Sequence, residues 1–227
     1  MCELSKGQKI VSIILKIIIV LSVIAGVVLS SMASADSFMG GETVFMYFTV
    51  QSNILIALVC LVGLIMILMN RPSSKVWYII KLTATVSITL TGIVFCFVLA
   101  PGMENAWTPP SILMHALVPA ASIIDYLIIC NVMKVKKINV LWVTVPPILY
   151  AIYSGIGYVR HWKFFQGYNY PYFFLNWGSE AGAIGFSDSV PFMGPVWWIL
   201  IILVLLLVVG LVYLLIADLI RKKTRPE

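Results

Sequence analysis

Residues 194–220 read GPVWWILIILVLLLVVGLVYLLIADLI and carry one charged side chain, Asp218. A helix of about 20 such residues is long enough to cross the ~30 Å hydrocarbon core of a bilayer. Five further apolar segments occur at residues 10–33, 46–69, 77–99, 110–133 and 138–158. The sequence therefore predicts an all-α polytopic membrane protein with six transmembrane helices, in a single integral membrane domain over residues 1–227.

The composition excludes a water-soluble globular protein. Of the 227 residues, 61% are hydrophobic and only 11% are charged, and the mean hydropathy is +1.04. In soluble domains about a quarter of the residues are charged. The six spans occupy more than half of the chain, so we expect no separate soluble domain.

Residues 82–91 test the helical prediction, because polar and apolar residues alternate there with a period of two. In a soluble protein this pattern favours a strand. A lone strand in lipid would leave its backbone groups unpaired, at a cost of several kcal/mol each, so a helix is expected. In a helix, Thr83, Ser87 and Thr91 share one face, which predicts contact with neighbouring helices.

The distribution of charge predicts the orientation. Basic residues in the cytoplasmic loops of membrane proteins outnumber those outside. The N-terminus, the second and fourth breaks and the C-terminus are basic, whereas the other breaks contain most of the acidic residues, with Arg160 and Lys163 as exceptions. We therefore expect both termini to be cytoplasmic and the protein to lie in the cell membrane. The net charge of +6 follows from this topology and from contact with anionic membrane lipids, with no nucleic-acid partner.

The first span has a second interpretation, as a cleavable signal peptide. Lys6 and Lys9, the apolar stretch 17–28 and the small residues 33–35 before Asp36 fit that pattern. We favour retention, because apolar residues also precede Lys16, whose side chain is expected to reach the cytoplasmic interface.

Thr49 and His115 are the main candidates for chemistry. Both are expected near the outer ends of their spans, within about 5 Å of each other in depth, where an imidazole could activate a threonine hydroxyl as a nucleophile. Asn53, one turn further along the same face as Thr49, is the best placed oxyanion donor, with Gln51 and Ser52 as alternatives. The competing interpretation is structural, with Thr49 bonded to its own helix and His115 to a neighbouring helix.

Other polar groups within the spans have structural interpretations. Asp125 and Lys81 lie at a similar inner depth, which favours a neutralising ion pair over a proton relay. The four cysteines, Cys2, Cys60, Cys96 and Cys130, form no metal-binding pattern, and those within spans are expected to behave as small hydrophobic residues. We infer no metal and no organic cofactor.

The outer loop, residues 159–193, is unusually aromatic. Anchoring at the lipid headgroups is the ordinary interpretation of such residues. The alternative is a lid, or a contact for an acyl chain, in which Tyr170, Tyr172 and Trp177 take part. His161 in this loop is expected to be solvated or interfacial.

Three places in the sequence resemble one family of membrane proteins. Residues 48–53 (FTVQSN), His115 and residues 170–176 (YPYFFLN) are similar to segments of the androgen-induced and androgen-dependent TFPI-regulating (tissue-factor-pathway-regulating) proteins and their bacterial relatives. Members hydrolyse fatty acid esters of hydroxy fatty acids with a threonine nucleophile and a histidine partner. The resemblance implies these roles for Thr49 and His115. Phe173 and Asn176 stand where proline and aspartate are frequent in the bacterial pattern. If that aspartate contributes to activity, this chain is expected to be weaker or inactive.

Two functions follow from these observations. The first is an intramembrane hydrolase of lipid esters that acts near the outer leaflet on an acyl-ester lipid. The second is a non-catalytic protein that binds or transports a lipid or small solute, with Thr49, Asn53 and His115 lining its pocket. Neither predicts an oligomeric state.

Overall fold

The computed structural model describes residues 4–34, 38–129 and 134–224. It confirms the all-α polytopic membrane fold, since six helices in these ranges are long and apolar enough to cross a membrane. The described residues contain one isolated β-bridge, between Phe186 and Met193, and no strand. The six helices are α1 (Lys6–Ser31), α2 (Phe48–Leu68), α3 (Lys75–Gly102), α4 (Pro109–Ile129), α5 (Lys137–Val159) and α6 (Pro195–Thr224).

The helix ends differ from the predicted spans by a few residues. The prediction for α4 extended to residue 133, whereas the described helix ends at Ile129 and residues 130–133 lie outside the described ranges. The first part of α5, Lys137–Thr144, is a 3₁₀ helix, and the α-helix begins only at Val145. Pro146 and Pro147 explain this boundary, because proline has no N–H to donate and is accommodated best in the first turn of a helix.

The third helix is the centre of the bundle and contacts α2, α4, α5 and α6, while α1 packs on α2 and α4. Residues 82–91 are helical as predicted, and Ser87 and Thr91 of the polar face are buried. The hydroxyl oxygens of Thr91 and Ser52 on α2 lie 2.7 Å apart, and those of Thr89 and Tyr213 on α6 lie 2.8 Å apart. Hydroxyl pairs therefore join α3 to helices on two sides.

The two ends of the bundle differ in character. Because six spans return the chain to the side where it starts, we call the end with Lys6 and Thr224 the terminal side and the opposite end the loop side. The connection between α5 and α6, residues 160–194, folds back over the loop side. Its residues Phe164 and Tyr172 are buried and pack against Tyr47, and the buried ring of Phe174 stacks on Tyr172. Part of the aromatic loop thus belongs to the protein core. Anchoring at the lipid headgroups does not explain the burial of these residues.

Candidate functional site

Thr49 lies in the first turn of α2, directly under the loop. Its side chain is buried, and its backbone N–H donates to the phenol oxygen of Tyr172 at 3.3 Å. The Thr49 hydroxyl oxygen lies 3.5 Å from the same phenol oxygen. The first backbone N–H groups of a helix have no partner within the helix, and the helix dipole is positive there. At this position the Thr49 hydroxyl, the Tyr172 phenol and the positive end of α2 therefore lie side by side.

A narrow cavity opens beside this pair and has about 570 Å³ of empty space, part of it open to the surroundings. Thr49, Tyr172 and residues of α3, α5 and α6 form its wall, most of which is hydrocarbon. Leu90 and Val94 come from α3, and Ile199 comes from α6. Such a wall fits an acyl chain.

The three predicted oxyanion donors have other partners. The Asn53 side-chain amide donates to the carbonyl oxygens of Thr49, at 2.8 Å, and Met114, at 3.3 Å. Ser52 bonds to the Thr49 carbonyl oxygen and to Thr91, and the Gln51 amide donates to the carbonyl of Phe45. None of the three lines the cavity. Asn53 instead ties α2 to α4, and the side-chain hydroxyl beside Thr49 is the phenol of Tyr172.

His115 is buried on α4 and has one free ring nitrogen. Its Nδ1 lies 3.0 Å from the carbonyl oxygen of Ser111. A carbonyl oxygen only accepts, so Nδ1 carries the proton, and in the neutral ring Nε2 is a free base. Among the described residues Nε2 has no hydrogen-bond partner, so it makes no bond to Thr49. The ring stacks on Phe95, with centroids 3.7 Å apart. Phe95 lines the cavity and His115 does not, so Phe95 screens the imidazole from it.

The stacked rings each lie in a π-helical turn, Phe95–Leu99 in α3 and Leu113–Leu117 in α4. Pro119 accounts for the second turn, because it has no N–H for the carbonyl of His115, four residues earlier. At the crossing, a Cβ atom on Gly92 would lie 3.0 Å from that carbonyl oxygen. Glycine at position 92 therefore allows α3 to approach α4 closely.

A second polar site lies deeper in the bundle, towards the terminal side. The ammonium nitrogen of Lys81 is 2.7 Å from Oδ2 of Asp125, so the expected pair is present. Lys16 lies 2.6 Å from Oδ1 of the same carboxylate, and Ser12 donates to that oxygen at 2.6 Å. The prediction that Lys16 reaches the cytoplasmic interface is wrong, since its side chain is 2% exposed. A fully buried carboxylate one helix away is a stronger partner for a buried ammonium than distant headgroups.

The cysteines differ in their surroundings. Cys60 is buried, and its sulfur accepts a hydrogen bond from Lys81 at 3.2 Å, so it is more than the small hydrophobic residue expected. Cys96 is partly buried. Cys2 and Cys130, as well as residues 35–37 at the possible cleavage site, lie outside the described residues. In the described part of the chain, no cluster of His, Cys, Asp and Glu could hold a metal ion.

The other loop candidates lie apart from the cavity. Tyr170 packs on Tyr168, and the Trp177 indole donates to Ser154 on α5 at 3.1 Å. Neither lines the cavity. His161 is exposed at the start of the loop. Asn176 stabilises a turn, because its side-chain oxygen accepts the backbone N–H of Gly178.

The chain matches no protein-family model, no curated protein and no solved structure.

Proposed function

We propose that the protein is an intramembrane hydrolase of lipid esters with Thr49 as its nucleophile. One observation carries this proposal: Thr49 lines an apolar cavity at the positive end of α2, and its hydroxyl lies next to the Tyr172 phenol. The hydrocarbon wall suits a fatty acyl chain, and the polar end suits the ester group. The resemblance to hydrolases of fatty acid esters of hydroxy fatty acids points to the same substrate class.

The reaction has two steps. The Thr49 oxygen attacks the ester carbonyl carbon while a base takes its proton, and the developing oxyanion accepts a hydrogen bond from Tyr172. The bond between the carbonyl carbon and the ester oxygen then breaks, and the alcohol leaves with the proton. Water attacks the acyl-threonine, which releases the fatty acid and restores the hydroxyl. Burial raises the pKa of Tyr172, so the phenol stays protonated at neutral pH and remains a donor.

His115 is the base in this proposal. Its free Nε2 can accept a proton, and its ring stacks on Phe95, which lines the cavity. Rotation of the Phe95 ring would open the path from the imidazole to the cavity.

We also propose that the terminal side faces the cytoplasm, so that the cavity opens near the outer leaflet of the cell membrane. The terminal side contains Arg71, Lys134 and Lys136 between spans, together with the basic cluster 221–223. The loop side contains Glu42, Glu104, Glu180 and Asp188, with Arg160 and Lys163 as the basic exceptions. This distribution agrees with the positive-inside rule.

A non-catalytic lipid-binding protein is the second candidate, and one observation favours it. Within the described ranges, Thr49 has no base at hydrogen-bonding distance, because its hydroxyl is paired with a phenol and His115 Nε2 makes no hydrogen bond. In this function the hydroxyl and phenol would hold a lipid ester or acid without cleaving it.

Hydrolysis by purified protein in lipid nanodiscs separates the two functions. We expect release of hydroxy fatty acid from a fatty acid ester of a hydroxy fatty acid by the wild type and by Thr49→Ser, and none by Thr49→Ala. Thr43→Ala is the matched control, because Thr43 lies on the same side, does not line the cavity and donates to the carbonyl of Gly40. Saturable lipid binding without hydrolysis in any variant would favour the binding protein.

A further inference from the structure

A second void lies beside the cavity, on the outside of the bundle between α2 and α5. It has about 700 Å³ of empty space, part of it open to the surroundings. Ser52 and Leu55 of α2 form one wall, and Pro146, Leu149 and Tyr153 of α5 form the other. We call this void the lateral groove. Both walls belong to membrane-spanning helices, so the surrounding medium is lipid.

The lateral groove is polar at one end only. Gln51 and Tyr153 lie near the loop-side ends of their helices, whereas Leu55 and Pro146 lie deeper. A lipid in the adjacent leaflet has the same arrangement, with its ester group near the surface and its acyl chain towards the bilayer centre. The groove therefore matches an acyl-ester lipid in depth and polarity.

Two side chains separate the groove from the cavity. Phe48 and Tyr150 line both voids, and their rings meet edge to face with centroids 5.2 Å apart. Phe48 immediately precedes Thr49 in the chain. Displacement of this pair would join the groove to the cavity that Thr49 lines.

We propose that the lateral groove is the route by which an acyl-ester lipid enters the cavity from the bilayer, with Phe48 and Tyr150 as the gate. This inference rests on the proposed function for the identity of the lipid. The lipid diffuses within its leaflet, seats its chain between α2 and α5, and passes the gate without leaving the membrane.

Leu149→Trp tests the route by filling the groove from the α5 wall, and Leu55→Trp does so from the α2 wall. The matched control is Ile152→Trp, because Ile152 is similarly exposed on α5 but does not line the groove. Each variant is first compared with the wild type in thermal unfolding, so that only folded protein is tested.

The first measurement does not depend on catalysis. A phosphatidylcholine with a diazirine in its acyl chain is incorporated into nanodiscs and photolysed, and labelled peptides are mapped by mass spectrometry. We expect labelling of cavity residues Phe174 and Leu175 in the wild type and in Ile152→Trp, and a several-fold decrease in both groove variants. Unchanged labelling in those variants, or no labelling of the cavity in the wild type, would overturn the proposal.

The second measurement links the route to hydrolysis. Turnover of a long-chain lipid ester should fall several-fold in the groove variants, while turnover of a short, water-soluble ester stays unchanged. Loss of labelling in protein that hydrolyses neither ester would support the route and reject the hydrolase. Normal long-chain turnover in the groove variants would reject the route and keep the hydrolase.

A second copy of the chain could occupy the groove instead of a lipid. Light scattering would then show an oligomer that Leu149→Trp dissociates, and this result would also overturn the proposal.

Discussion

The Tyr172 phenol oxygen accepts the backbone N–H of Thr49 and lies 3.5 Å from the Thr49 hydroxyl oxygen. The two residues are 123 positions apart in the chain. The contact brings the loop onto the first turn of α2, where the helix dipole is positive. This arrangement makes Tyr172, rather than Asn53, the side chain placed to stabilise an oxyanion on an ester bound at Thr49.

Tyr172→Phe should therefore slow catalysis while keeping the aromatic packing. Loss of one oxyanion donor costs about 10²–10³ in kcat, and we expect little change in KM, because the donor acts mainly in the transition state. Steady-state hydrolysis of a lipid ester in nanodiscs measures both constants. Tyr170→Phe is the control, because Tyr170 does not line the cavity. Equal kcat values for wild type and Tyr172→Phe would remove the phenol from the mechanism.

The same phenol predicts how stability depends on pH. Burial raises the pKa of Tyr172 in the folded protein, so the folded state keeps this proton at a pH where the unfolded chain, with a pKa of about 10, has lost it. The protonated phenol therefore contributes fully to the free energy of unfolding below a pH of about 10, and this contribution is lost as the pH rises further. The thermal unfolding temperature should fall more steeply above this pH in the wild type than in Tyr172→Phe. Parallel curves would contradict the prediction.

His115→Gln tests the base. Glutamine can still donate to the carbonyl of Ser111, but it cannot accept a proton, so we expect kcat to fall by about 10²–10⁴. The pH profile of kcat should lose its acidic limb, which a purely structural change would leave in place. If the variant hydrolyses lipid esters at the wild-type rate, the histidine serves only packing against Phe95.

Asp125→Asn should be strongly destabilising. The single carboxylate forms ion pairs with both Lys16 and Lys81 in the interior, and removal of one partner of a buried ion pair costs about 3–5 kcal/mol. Asp218→Asn is the matched control, because it breaks a partly exposed pair with Arg221, and such pairs contribute about 0–1 kcal/mol. Thermal unfolding in detergent compares the two. A similar small loss in both variants would show that the buried cluster contributes little to stability.

The fold could be predicted from the sequence because lipid restricts what an apolar segment can do. Six long apolar runs can only be helices, and this rule correctly overrides the strand pattern at residues 82–91. The depth of each side chain in the membrane also follows from its position along the helix. For this reason the ion pair between Asp125 and Lys81 could be predicted.

The sequence does not show which neighbouring helix a side chain faces. The predictions for Lys16 and Asn53 differ from the structure for this reason. The position of Lys16 along its helix predicts that it reaches the interface, because nothing in that helix shows that Asp125 lies beside it. Asn53 shares a face with Thr49, but that face meets α4 instead of the cavity. The sequence predicts Tyr172 only as part of a lid or an acyl-chain contact, because its contact with Thr49, between distant parts of the chain, has no local signal. Pro119 is the available signal for the π-helical turn in α4.

Covalent trapping of Thr49 tests the central claim most directly. A long-chain alkyl fluorophosphonate reacts with an activated hydroxyl to give a stable adduct, which peptide mass spectrometry can locate. We predict an adduct on Thr49 in the folded wild-type protein in nanodiscs, a slower reaction in Tyr172→Phe, and no adduct at this position in Thr49→Ala. An unmodified Thr49 in protein that hydrolyses lipid esters, or an adduct on another residue that accounts for the loss of activity, would contradict the account.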